Sequence, residues 1–175
     1  MVKIKLAELG NPVLRVKSRL VKKTEFNTEK LEKLVSKLNA AIIGADGVAI
    51  AAPQIGVNAQ VVVINLRPTQ TRLKLKKYYQ VVINPKILKS SKTKESGWEG
   101  CLSFIGFRGE VSRSKEIKVR YQDQLGNVHT EIFKDFKARV YQHEIDHLNG
   151  LIYLDRMDNL KYLLSLKEFK ERILK

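Results

Sequence analysis

The chain has 175 residues, 43% hydrophobic and 29% charged, with 33 Lys and Arg against 18 Asp and Glu for a formal charge of +15. That length gives room for one core and little more, and the composition excludes a mainly disordered or fibrous chain. A single domain over residues 1–175 is expected. No apolar run approaches the ~18 residues that a membrane span needs. The start, MVKIKLAELG, reaches Glu8 before a signal-peptide core could form, so a cytoplasmic protein is expected. Cys101 is the single cysteine, which rules out an internal disulfide.

In chain order, Leu31, Leu34, Val35, Leu38 and Ile42 recur with the period of an amphipathic helix, with Asn27 as its N-cap and Gly44 near its end. VVVINL (61–66) and VVIN (81–84) are β-branched runs that read as strands, the second stopped by Pro85. Ile117, Val119 and Tyr121 alternate with Lys118 and Arg120, and the turn Leu125-Gly126-Asn127 leads into Val128, Thr130 and Ile132, which predicts a hairpin. A helix is expected from about Phe136 to Leu148, stopped at Asn149-Gly150. Tyr162, Leu166, Phe169 and Ile173 predict a last helix over 158–174. Strands in the middle and helices at the ends suggest an α+β fold with antiparallel sheets. The basic excess sits in residues 1–40 and 67–100, whereas 41–66 carries Asp46 alone and reads as core or site.

Residues 143–147 read His-Glu-Ile-Asp-His, a match to H-E-x-x-H. On a helix, positions i and i+4 share one face. His143 and His147 can therefore reach one metal ion, with Glu144 beside its water. Val140 and Phe136 continue that face as an apolar stripe. A catalytic site needs at least one further protein ligand. Glu168 and Glu171 lie at a thermolysin-like distance, but they alternate with Lys167, Lys170 and Arg172 as a solvated face would. Cys101, set in Glu99-Gly100-Cys101-Leu102-Ser103, is the better candidate. Gly100 would let the backbone approach a site closely.

Three separated segments, GVAIAAPQ (47–54), EGCLS (99–103) and QHEIDHLNG (142–150), resemble the peptide deformylase family in content and order, with weaker likeness from GNPVLR (10–15) to IYLDRMD (152–158). The resemblance implies a hydrolase that removes the formyl group from the initiator methionine of new bacterial and organellar proteins. It implies antiparallel sheets around a central helix carrying the metal motif, and a C-terminal helix. By the same resemblance Cys101, His143 and His147 would hold one divalent ion, Fe²⁺ first and Zn²⁺ or Ni²⁺ as substitutes, which would make a fourth-position water acidic. Glu144 would carry the proton. The Gln54 amide and the Leu102 N–H would stabilise the oxyanion. The strand from Gly47 through Val48 and Ala49 would pair with the backbone of an N-formylmethionyl peptide, and Arg113 would be the ion-pair partner of Asp146. A mature organellar chain in matrix or stroma would match the resemblance as well as a cytoplasmic one.

Helix geometry adds the side-chain slot. Phe136, Arg139 and Val140 precede His143 by seven, four and three residues, so they share its face and should line the hollow for methionine, Arg139 through its aliphatic stem. Two residues depart from the family pattern: Ala49, where glycine is usual, and Ile105, where proline is usual. These bear on rate and substrate fit. Trp98 reads as pocket wall or core, and His129 as a solvent-facing strand residue. The competing readings are an H-E-x-x-H endopeptidase and a basic RNA-binding module. Basic residues in 1–40 and 67–100, with Lys161, Lys167, Lys170, Arg172 and Lys175, offer a surface for ribosomal RNA.

Overall fold

The structure is a computed structural model, described for residues 4–69 and 73–174. Helix α1 (Glu29–Gly44) is capped by Thr28, whose hydroxyl accepts from the Leu31 N–H at 3.3 Å. Asn27, expected as the cap, instead takes a left-handed φ of 53° one residue earlier, where its N–H donates to the Gln124 carbonyl. Strands β1 (Ala49–Ala51), β2 (Val61–Leu66), β3 (Tyr78–Ser90), β6 (Glu116–Gln122) and β7 (Val128–Lys134) form an antiparallel five-stranded sheet in the order β1-β2-β3-β6-β7. Strands β4 (Lys94–Cys101), β5 (Phe104–Ser114) and β8 (Leu163–Ser165) form a second sheet in that order.

Strand β2 is apolar on both faces because both are covered. Val61 and Val63 pack towards α1, while Val62 and Ile64 pack towards α2 (Asp135–Leu148). The sheet thus separates two cores, and the motif helix α2 lies on the face away from α1. Strand β3 does not stop at Pro85. It runs on to Ser90 through a register shift between Ile83 and Lys86, where proline's missing N–H costs no ladder bond. Asn84 holds that irregularity, its side chain bonding Val21 and Gln122.

The terminal helix is shorter than expected. Residues 163–165 pair with Phe107–Gly109 as β8, and Ser165 then caps α3 (Leu166–Arg172) by accepting from the Glu168 N–H. Strand pairing here overrides helix propensity, which is a weak preference. Lys175 lies outside the described residues. The segment before α1 straps the layers together: the N–H groups of Ala7, Leu9 and Ser18 donate to the carbonyls of Gln54, Ser103 and Leu148, each at 2.8 Å.

Candidate metal centre and active site

Two sheet edges face each other across a cleft of about 400 Å³. Strand β1 ends the five-stranded sheet and β4 ends the smaller one. Gly47, Val48 and Ala49 line one wall, and Trp98, Glu99 and Gly100 the other. Gly47 has a reason to be glycine. A Cβ there would stand 3.0 Å from the Leu102 side chain, which rises from the tight β4–β5 turn. Ala49 keeps a negative φ and tucks its methyl into the core against α2, so this departure imposes no backbone strain. Ile105 is exposed at the cleft mouth, before Gly106 at φ 89°.

At the floor, one ligand atom from each of Cys101, His143 and His147 falls within 4.8 Å of the others. Helix α2 supplies the imidazoles from one face, and the end of β4 supplies the thiol, 3.2 Å from His147 Nε2. Burial opposes ionisation of Cys101, but the adjoining His147 and His143 outweigh it and hold its pKa well below the ordinary thiol value. A buried cysteine sulfur beside two imidazole nitrogens is a donor set that would suit Zn²⁺ or Fe²⁺, three protein donors leaving a fourth position open. Glu168 and Glu171 sit exposed on α3.

Glu144, 5% exposed, lines the cleft beside these ligands. Its Oε2 has no hydrogen-bond partner among the described residues, and burial raises its pKa. Gln54 is clamped by its Oε1, which accepts from the Ala51 N–H at 2.8 Å. This aims Nε2 at Cys101 Sγ (3.4 Å) and Ser103 Oγ (3.3 Å). Phe136 and Val140 line the cleft from α2. Arg139 lines it too, but its guanidinium donates to the carbonyls of Glu95, Gly97 and Val111 and to Glu99, filling the notch that Gly97 leaves. Trp98 is cleft wall, half-buried, with its ring 5.3 Å from that of the buried Phe169. His129 is half-buried, bonded to Asp123 and stacked on Tyr121.

Glu99 carries no signal of a role in the sequence beyond its place in EGCLS. Its Oε1 accepts from Arg113 Nε and Arg139 Nη1, and its Oε2 from Arg113 Nη2 and His143 Nδ1 (2.8 Å). All four lone-pair positions of the carboxylate are thus filled. The bond to Nδ1 leaves Nε2 of His143 as its free ligand atom. Burial works against the charged carboxylate, yet His143 and Arg113 prevail and keep its pKa below the usual range. Arg113 also pairs with Asp146, as does Arg156, so Asp146 faces these guanidiniums and not the ligand group.

The sequence profile of the polypeptide deformylase family matches residues 3–162. A peptide deformylase of Leptospira biflexa is 38% identical over 159 residues, covering 90% of this chain and 89% of that protein. Peptide deformylase 2 of Nostoc is 36% identical over 171 residues, covering 97% and 94%. Among solved structures, the Met-Ala-Ser-bound class I type b peptide deformylase of Acinetobacter baumannii superposes with a TM-score of 0.86 at 34% identity, covering 89% of this chain and 99% of that one. The Thermotoga maritima enzyme gives 0.81 at 35% identity, covering 91% and 100%. No helix among the described residues is long and apolar enough to cross a membrane. With its cleft between two sheet edges and its Cys-His-His floor, the chain belongs to the peptide deformylase family, the metal-dependent hydrolases that remove the N-formyl group from the amino-terminal methionine of nascent chains.

Proposed function

We propose that residues 1–175 act as one catalytic unit in which Cys101, His143 and His147 hold a single divalent ion, Fe²⁺ first and Zn²⁺ or Ni²⁺ as substitutes. The observation that carries this is the convergence of the three donors beside Glu144, directly beneath two unpaired strand edges. When bound, the ion supplies Lewis acidity, lowering the pKa of water and polarising a carbonyl. The residues of the chain do the rest. An extended formyl-Met peptide enters between β1 and β4, and the backbone of Gly47–Ala49 and Gly100 grips it without reading side chains, as in β-augmentation. Phe136 and Val140 receive the methionine side chain, with the Arg139 stem beside them. That the Acinetobacter relative carries Met-Ala-Ser supports a peptide of this kind in the cleft.

Glu144 takes the proton from the attacking water and returns it to the leaving amine. Its burial and raised pKa suit a group that must both accept and release a proton. As the formyl carbon becomes tetrahedral, Gln54 Nε2 and the Leu102 N–H donate to the developing oxyanion. The clamp from Ala51 to Gln54 Oε1 fixes the amide in advance, the condition under which such donors are most effective. We assign the enzyme to the cytoplasm, or as a mature chain to an organellar matrix or stroma. Its surplus positive charge is assigned to ribosomal RNA, near which nascent chains emerge, and ribosome co-sedimentation should therefore weaken steeply with salt.

The test is formate release from formyl-Met-Ala-Ser by protein purified anaerobically, with elemental analysis of the same sample. One equivalent of metal with formate release and intact internal peptide bonds is the expected result. Cleavage of internal bonds, or release that is indifferent to a chelator, would overturn it.

A further inference from the structure

Most charges lining the cleft are already committed. Asp46 meets Arg67 at 3.1 Å, Glu99 is filled by four donors, and Arg139 is tied to four oxygens. Glu144 is buried at the floor. Two cations differ. Arg108 projects from β5 into the cleft, half-buried, and its guanidinium donates to the carbonyl of the preceding residue, Phe107, at 2.8 Å. Lys170, on α3, lines the same cleft from an exposed position. Among the described residues neither cation forms an ion pair.

The placement of Arg108 is built into the wall. A Cβ on Gly100 would stand 2.3 Å from its Nη1 and 2.6 Å from its Cζ, so the guanidinium occupies the volume that glycine leaves beside the β4 edge. Burial, the largest influence on this group, lowers its pKa, as expected of a cation partly desolvated without a carboxylate to compensate it. An extended peptide gripped along Gly47–Ala49 and Gly100 sends the residues after methionine past this wall. Alternate side chains of an extended strand project to opposite faces, so one of the first two following residues is turned towards β5 and α3. The backbone grip reads no side chain, and the methionine slot is apolar; charge is read only where the two uncommitted cations stand.

We infer that Arg108 and Lys170 form an anion subsite through which the enzyme favours formyl-Met peptides carrying Asp or Glu in the residues after methionine over those carrying Lys or Arg. This rests on the deformylase reading above and adds a specificity to it. The ligand chemistry is a side-chain carboxylate, met by a planar guanidinium that can bond it bidentately and by a mobile ammonium that adds a point charge.

The experiment measures kcat/KM for formate release from formyl-Met-Ala-Glu, formyl-Met-Ala-Ser and formyl-Met-Ala-Lys, and from formyl-Met-Glu-Ser and formyl-Met-Lys-Ser. All peptides are amidated at the C-terminus so that a terminal carboxylate cannot mimic the side chain. For one of the two positions the Glu peptide should exceed the Lys peptide by about three- to tenfold, the scale of two partly exposed ion pairs. The difference should lie mainly in KM, shrink at high salt, and approach unity in the double variant Arg108→Gln, Lys170→Gln. Should Arg108→Gln fail to fold, Lys170→Gln on its exposed helix and the salt series on the unaltered enzyme carry the same comparison. Equal values at both positions, a preference for Lys, or a ratio untouched by the substitutions and by salt overturns the subsite while leaving deformylation standing. No formate from any peptide, the neutral one included, overturns the reading beneath it.

Discussion

Replacing Glu99 with Gln tests whether this carboxylate is a structural ion-pair partner or the group that orients the metal ligands. The residue is 5% exposed, and its side chain bridges two guanidiniums and an imidazole. Removing one charge from a buried ion pair costs about 3–5 kcal/mol. Because glutamine keeps the shape and one acceptor oxygen, the lower end of about 3 kcal/mol is expected for the metal-free protein. A purely structural role ends there. An orienting role adds a loss of metal affinity of about 10- to 100-fold, since the amide no longer offers both a full charge and a dedicated acceptor to His143 Nδ1. That is about 1.4–2.7 kcal/mol of binding energy. Urea unfolding after chelation reads the first quantity, and competition with a chelator of known affinity reads the second. Acid dependence gives a further signature. The folded pKa of Glu99 is depressed, so its contribution is complete above the unfolded value of about 4.3 and is lost as pH falls below it. The stability gap between wild type and Glu99→Gln should therefore narrow from about pH 5 downward. A variant that loses stability yet binds metal as tightly as wild type would refute the orienting role.

Cys101→Ser should lose most of its metal and its deformylation, because a neutral hydroxyl is a far poorer ligand than a thiolate; a full equivalent of metal by elemental analysis would remove Cys101 from the ligand set. Glu144→Gln should keep its metal while turnover falls by about 10²- to 10⁴-fold; retention of more than about a tenth of wild-type turnover contradicts proton transfer through Glu144. Gly97→Ala would put a methyl 2.9 Å from the Arg139 guanidinium, and thermal unfolding should show a loss of about 1–2 kcal/mol. An unchanged melting temperature would mean that Arg139 is not confined by the notch. Val140→Phe should raise KM for formyl-Met peptides more than for formyl-Ala peptides, and equal effects on both would take Val140 out of the methionine slot.

Helices α1 and α2, strands β2, β6 and β7, and the pairing of His143 with His147 on one helix face were readable because each rests on a local pattern. The buried run of β2, the alternation of β6 and the i, i+4 histidines all announce themselves within a few residues. The β4–β5 hairpin did not, for a physical reason. Its inward side chains include Glu99, Cys101 and Arg113, chemistry in place of hydrocarbon, so no apolar period marks it. Glu99 stayed silent for the same reason, since its partners lie 14, 40 and 44 residues away. The shortening of the last helix was equally invisible, because the edge of β5 that recruits 163–165 is a tertiary feature. Pro85 misled because a strand can pass through proline where its register slips, and nothing local announces the slip.

The strap formed by Ala7, Leu9 and Ser18 reaches residues 54, 103 and 148 in turn. Each bond fastens a different one of the three motif segments, and each closes a longer loop than the one before. A chain emerging from synthesis makes the strap first but can fasten its last bond only after Leu148 has followed. Until then GVAIAAPQ and EGCLS are hung from a cord with one end loose. The enzyme that trims other newborn chains is thus itself assembled late.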